Sequence, residues 1–270
     1  MFSSIALGGG GVRGGIMIGG LAVLEKYQAL RFPNGIYGCS AGSIIATALA
    51  YNIPIQKIKK MFEDDFNLSK VVPSINLASI TGFTRQKALF SMDAFTTTLL
   101  SAFDKQGIDL RNAVIADAPQ KLYIVASNLT TRRGVLLTGK VPLVDAIRCS
   151  SCLPFVFHPQ ILYNNVYVDG GFYIHNMNRV VPPDCLVFHI SRSQLNISPD
   201  RLKKMTLSDY SSTLYEAFRN ESLSQNVVCF RNDTVSLMQE LNAEQKKQLY
   251  DEGVTQASRF FAKRLSDKLE

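Results

Sequence analysis

The sequence predicts an α/β fold, and three observations carry the expectation. A short apolar strand, Ile5 to Leu7, runs straight into the loop Gly8-Gly9-Gly10-Gly11-Val12-Arg13-Gly14-Gly15 and then a helix. A second strand, Gly35-Ile36-Tyr37, runs into Gly38-Cys39-Ser40-Ala41-Gly42 and then another apolar helix. At 270 residues, 46% hydrophobic and 19% charged, the chain is long enough to bury one large core. Strand, tight turn and helix in succession is the order that lays helices against a sheet. A single unit over residues 1–270 is expected, with a core of about 5–190 and a helical part of about 198–270. No internal repeat or low-complexity linker interrupts it.

The first helix is expected over Gly14 to Leu30, with apolar residues on several faces as in a buried helix. Gly19 and Gly20 inside it cost about 1 kcal/mol each relative to alanine, which close backbone packing would offset. Ser43 to Tyr51 is small and apolar, suited to a buried helix behind Ser40. Pro54 opens the next helix, Ile55 to Phe66, whose stripe of Ile55, Ile58, Met61 and Phe62 lies opposite Lys57, Lys59 and Lys60. From Asn67 to Phe90 periodicity weakens, and this stretch is expected to form a mobile cap beside the site. Ser91 is read as the cap of a helix through Phe103.

Lys121 to Ser127 and Val135 to Thr138 read as a hairpin, with the turn at Thr131 to Gly134. Pro142 starts a helix to about Arg148, and Cys149 to Phe155 is expected to be a loop. Ile161-Leu162-Tyr163 and Val166-Tyr167-Val168 are strands joined by a tight turn at Asn164-Asn165, and they deliver the chain to Asp169-Gly170-Gly171. Cys185 to Ile190 is one more buried strand. Past Ser198 the chain turns helical, with an edge strand near Val227 to Phe230 and a capping box, Asn242 with Gln245, opening a last helix through Arg264.

The net charge of +7 suits an anionic surface. The basic residues are dispersed, and no finger, RRM or helix-turn-helix pattern surrounds them, so nucleic acid is not an expected partner. No apolar run approaches the roughly 20 residues of a membrane span, and Met1 to Ser4 lacks the features of a signal peptide, so a cytoplasmic protein is expected. The five cysteines are odd in number and scattered, and they read as free thiols; Cys149 and Cys152 form a lone CxxC pair without a second ligand pair.

Chemistry concentrates at three places. GxSxG holds a serine on a strained strand-to-helix turn that projects its hydroxyl into a cleft, which makes Ser40 the candidate nucleophile. A glycine loop before a helix presents unpaired N–H groups that bind phosphate or stabilise an oxyanion. Gly9, Gly11 and Gly14 also satisfy the dinucleotide fingerprint GxGxxG, but the acidic residue expected about 20 residues further on has no counterpart. The serine needs a base. The three histidines are His158, His175 and His189. A triad of Ser40 and Asp169 with His175 or His189 is formally allowed, and so is a simpler unit in which the Asp169 carboxylate itself takes the proton.

These motifs, in this order, resemble those of the patatin-like phospholipases, a family of lipid acyl hydrolases. Gly9 to Gly14 fits GGGx[RK]G, Gly38 to Gly42 fits GxSxG, Asp169-Gly170-Gly171 fits DGG, and Ser150 to Pro159 is similar to the family's Ala/Ser-rich stretch ending in Pro-x-x-Phe-x-Pro. The resemblance spans about Ile5 to Ile190. It departs behind DGG, where Phe172-Tyr173-Ile174-His175 precedes Asn176. The resemblance implies a three-layer α/β/α fold with a mainly parallel central sheet. It implies a Ser40–Asp169 dyad, an acyl-enzyme, and an oxyanion hole of backbone N–H groups from Gly9, Gly10, Gly11 and Val12. Arg13 has two readings, as an anchor of the loop or as a contact to a substrate phosphate. The implied partners are a phospholipid or other acyl lipid and, transiently, a membrane surface; no cofactor or metal is required.

Overall fold

The computed structural model describes the whole chain except residues 74–76, 192–197, 206–209, 211–212, 214–224 and 268–270. Its centre is a sheet of eight strands. In chain order these are β1 (Ser4–Leu7), β2 (Gly35–Cys39), β4 (Leu122–Asn128), β5 (Arg133–Leu137), β7 (Gln160–Leu162), β8 (Asn165–Asp169), β9 (Leu186–Ser191) and β10 (Val227–Arg231). The pairing order is β10-β9-β1-β2-β4-β8-β7, with β5 also on β4. The pairs from β10 to β4 are parallel, and β5, β7 and β8 add antiparallel pairs. Helices flank the sheet, as the sequence predicts.

The parallel strands are buried on both faces: every residue of β1, β2 and β9 is buried. Against them pack α1 (Gly15–Leu24) and α2 (Ala41–Ala50). The last helix, α9 (Ala243–Ser266), closes on α1 through glycines. A Cβ at Gly19 would sit 2.1 Å from the Tyr250 carbonyl oxygen, and one at Gly253 would sit 1.9 Å from that of Ile16. This approach explains Gly19, while Gly20 makes room for Phe230 and Phe188 of the sheet, which a Cβ there would meet at 2.5 and 2.8 Å. The capping box is present, with Asn242 accepting from the Gln245 amide at 2.9 Å and Gln245 accepting from the Asn242 amide at 3.0 Å.

Several boundaries differ from the sequence-based expectation. The first helix stops at Leu24 rather than Leu30, and its first turn, Gly11–Gly14, is a 3₁₀ turn. The stripe of α3 (Ile55–Asp64) is buried as expected at Ile55, Ile58 and Met61. The 67–90 stretch contains α4 (Leu68–Val71), α5 (Leu77–Gln86) and β3 (Ala88–Phe90), and Asn67, Leu68 and Val71 line the cavity described below. Met92, not Ser91, occupies the cap position of α6 (Asp93–Asp104). Helix α7 (Leu143–Ser151) absorbs Cys149, Ser150 and Ser151, and β6 (Phe155–Phe157) follows, paired with β3 in a small second sheet. The β7–β8 turn is centred on Tyr163-Asn164, one residue earlier than predicted: Leu162 pairs with Asn165, and the two central residues have φ of 48° and 58°. Beyond Ser198 the described helices are α8 (Pro199–Lys204) and α9; much of the stretch between them lies outside the described residues.

The register around β4 positions the site. Residues Ile124 and Val125 pair with both β2 and β5, while Ala126, Ser127 and Asn128 pair with both β5 and β8. A strand has two edges, so β2 and β8 share one edge of β4 and meet there end to end. β2 runs parallel to β4 and β8 antiparallel, so their C-terminal ends face each other.

Candidate active site

Ser40 follows the C-terminal end of β2, and Asp169 is the C-terminal residue of β8. Cys39 pairs with Val125 and Asp169 with Ala126, so the two arrive at consecutive positions along β4. Both side chains line one cavity of about 190 Å³.

The elbow has the strain that its sequence predicts: Ser40 has φ 54° and ψ −128°. A Cβ at Gly42 would lie 2.2 Å from the Leu7 carbonyl oxygen, and one at Gly38 would lie 2.6 Å from the Cα of Ser43, so backbone forbids side chains on either side of the serine. Hydrogen bonds hold the strained residue. The Ser40 amide donates to Ser150 Oγ at 2.8 Å, Ser150 Oγ donates to the Val125 carbonyl at 2.6 Å, and the Ser40 carbonyl accepts from the amide and hydroxyl of Ser43 at 2.8 and 2.6 Å. Ser150, fully buried at the end of α7, therefore ties the elbow to β4. In the sequence it opens the Ala/Ser-rich stretch Ser150 to Pro159, which assigns it no role of its own.

Asp169 is nearly buried, at 7% exposure. Its amide donates to the Cys152 carbonyl at 3.0 Å, and its Oδ1 accepts from the Gly171 amide at 2.8 Å. Gly170 is required by packing, since a Cβ there would meet the Val125 carbonyl oxygen at 2.4 Å and Cys39 Sγ at 2.8 Å. Ser127 Oγ donates to the Gly170 carbonyl at 3.1 Å and accepts from the Tyr173 amide at 3.0 Å, locking the turn behind the carboxylate.

The glycine loop borders the serine: a Cβ on Gly9 would sit 3.2 Å from Ser40 Cβ. Gly9, Gly10, Gly11, Val12 and Arg13 all contribute to the cavity wall. Val12 departs from the expectation, because its amide donates to the Leu237 carbonyl at 3.0 Å and is engaged by the protein itself. Arg13 is 2% exposed, and its Nε donates to the Gly10 carbonyl at 3.4 Å, so its side chain supports the loop from within. Of the histidines, His175 and His189 line the cavity; His158 lies beside β6, its amide donating to the Phe90 carbonyl at 2.9 Å and its imidazole pushed down in pKa by burial. The rest of the wall is mostly apolar, including Ile45, Met61, Phe66, Phe95 and Phe157.

None of the five cysteines is in a disulfide, and burial pushes the Cys149 thiol up to about 12 and that of Cys185 to about 11. Among the described residues no group of three His, Cys, Asp or Glu is placed to hold a metal ion. No helix among them is long and apolar enough to cross a membrane.

Comparison with known proteins gives one family and a consistent fold. A family model described as patatin-like phospholipase matches residues 5–180. "Uncharacterized protein R571" of Acanthamoeba polyphaga mimivirus is 24% identical over 273 residues, covering 93% of this chain and 91% of that protein. Among solved structures, VipD from Legionella pneumophila aligns at a TM-score of 0.62 and 15% identity, over 97% of this chain and 67% of its own. Full-length ExoU from Pseudomonas aeruginosa, in complex with SpcU, aligns at 0.55 and 14% identity, over 98% of this chain and 53% of that one. The chain thus spans about half the length of ExoU.

Proposed function

The chain belongs to the patatin-like phospholipase family, and from that premise we propose that it is a serine carboxylic-ester hydrolase that cleaves fatty-acyl esters of membrane lipids. The observation that carries this reading is the facing arrangement of Ser40 and Asp169 at the two strand ends on one edge of β4, inside an apolar cavity beneath the glycine loop. Asp169 accepts the Ser40 hydroxyl proton, and Ser40 attacks the acyl carbonyl. The carbonyl oxygen gains negative charge, which amides of Gly9, Gly10 and Gly11 stabilise; the Val12 amide is spent on Leu237. Collapse of the tetrahedral intermediate expels the lipid alcohol with a proton returned from Asp169. Water, deprotonated by the same carboxylate, then releases the fatty acid from Ser40. The apolar wall suits an acyl chain, and the buried Arg13 serves the loop rather than the substrate. The whole of residues 1–270 acts as one unit, associating peripherally with membranes from the cytoplasm.

A second reading has its own observation: His175 and His189 line the same cavity, which supports a Ser-His-Asp arrangement. Labelling with a fluorophosphonate tests serine hydrolysis directly. The wild-type protein is expected to label and Ser40→Ala is not; a folded wild-type protein that fails to label overturns the reading. Loss of turnover in a folded His175→Ala or His189→Ala variant decides for the triad.

A further inference from the structure

Exposed apolar side chains of β5 and the β7–β8 hairpin stand at the margin of a sheet face whose middle is buried beneath Ile174. Ile161 and Tyr163 are 77% and 65% exposed, and Leu136 is 37% exposed. Ile161 and Leu136 share one face by register. Ile161 pairs with Val166; two residues on, Val168 pairs with Ser127, which pairs with Gly134; and Leu136 is two residues beyond Gly134. Ile174 lies against Gly134 on this face, since a Cβ there would stand 2.2 Å from its Cδ1, and Ile174 also lines the cavity. Ile174, itself buried, thus packs between this margin and the cavity wall.

The β4–β5 and β7–β8 hairpin tips lie side by side at the outer end of this face. The Val166 amide donates to Thr130 Oγ1 at 3.0 Å, and the Leu129 amide donates to the Val166 carbonyl at 2.8 Å. One tip carries Arg132 and Arg133, both exposed and in no ion pair among the described residues; the other carries Tyr163. Between Lys121 and Val168 the only acidic residue is Asp145, which lies on α7 beside Arg148 at 3.8 Å. The tips are thus cationic with no acid among them.

We propose that these paired hairpins are the surface by which the protein docks on an anionic lipid bilayer. Ile161 and Tyr163 enter the headgroup region, and Arg132 and Arg133 meet the lipid phosphates. An aliphatic and an aromatic side chain flanked by unpaired arginines match a surface that is apolar beneath and negative above. Docked this way, the tips bring the C-terminal end of β4, along which Ser40 and Asp169 arrive, toward the membrane. The proposal rests on the lipid-hydrolase reading for its purpose but is tested apart from it.

Flotation with vesicles of phosphatidylcholine alone, and with phosphatidylglycerol added, reads the docking; turnover of a water-soluble short-chain ester and fluorophosphonate labelling read the chemistry. Wild-type protein is expected to float with the anionic vesicles, less so at high salt. Ile161→Asp with Tyr163→Asp, and separately Arg132→Glu with Arg133→Glu, are each expected to weaken partition by about tenfold or more while soluble-ester turnover and the melting curve stay at wild-type values. Wild-type protein that does not float, or double variants that float like wild type, overturns the proposal. It is equally overturned if light scattering shows a wild-type dimer that Ile161→Asp with Tyr163→Asp converts to a monomer without any vesicle binding. Face-dependent flotation without labelling leaves the docking surface standing and removes the hydrolase.

Discussion

Ser40 and Asp169 approach each other along a single edge of β4, from strands that run in opposite directions and end at Val125 and Ala126. Their separation is therefore set by consecutive residues of one strand rather than by the loops that bear them. A sheet register is far stiffer than a loop, and so the two residues are delivered to one cavity by the sheet itself.

Asp169→Asn should keep the fold and lose the chemistry. The amide oxygen of an asparagine can still accept from the Gly171 amide, so the turn behind it is retained. It cannot take a proton. Loss of a general base is worth about 10²- to 10⁴-fold in rate, so kcat for a soluble ester should fall by that order with KM little changed. His175→Ala and His189→Ala, measured alongside with melting curves, should keep most of the wild-type kcat.

Ser150→Ala should damage both stability and rate without touching substrate. It removes the acceptor of the strained Ser40 amide and the donor to the Val125 carbonyl, both in buried surroundings. Leaving such groups unpaired costs about 1–3 kcal/mol, a fall of several degrees in melting temperature for a chain of this size. Because the freed elbow can leave its φ of 54°, fluorophosphonate labelling of the folded variant should also slow. Unchanged labelling would mean that the glycines and Ser43 suffice to hold the serine.

The buried thiols predict how stability depends on alkaline pH. Cys185 and Cys149 stay protonated in the native protein to about 11 and about 12, whereas the unfolded chain releases those protons from the ordinary value of 9.0. Above that value the unfolded state binds fewer protons than the native one, so stability is full below pH 9 and falls as pH rises through 11. Denaturant midpoints at pH 8 and pH 11 should drop less for Cys149→Ala with Cys185→Ala than for wild type. At pH 8, iodoacetamide should modify the native protein mainly at the half-buried Cys229.

The parts of the site that are legible in the sequence are those that depend on local backbone demands. A serine at φ 54° and glycines that abut carbonyl oxygens permit few other residues, so Gly38 to Gly42 and the glycine loop announce themselves. Burial of whole strands is equally visible, and β1, β2 and β9 follow as read. What stayed hidden depends on partners far along the chain. The Ser150 stretch is recognisable, but its partner, 110 positions away, is not, and β3 and β6 are too short to show a pattern until they pair with each other. The turn at Tyr163-Asn164 was misplaced for a related reason: Asn164-Asn165 has the better local preference for positive φ, but the register of β7 on β8 overrules it.

The Leu237 contact makes the glycine loop depend on a C-terminal segment. The Leu237 carbonyl accepts the Val12 amide at 3.0 Å and would be 2.2 Å from a Cβ on Gly11, whose φ is 54°; Leu237 and Met238 also line the cavity. Asn232 anchors the segment, accepting from the Val235 amide at 3.0 Å and donating to Glu252 of α9 at 2.8 Å. Asn232→Ala removes those anchors while leaving the sheet intact. Hydrogen exchange of the Val12 amide should then quicken, and proteolysis near Leu237 should increase, because the segment opens without global unfolding. Gly11→Ala attacks the same contact from the other side, through a left-handed conformation costing about 1–2 kcal/mol and a clash with the Leu237 carbonyl. If Val12 exchanges at the wild-type rate in both variants, the amide is protected by the loop itself and the Leu237 bond is incidental.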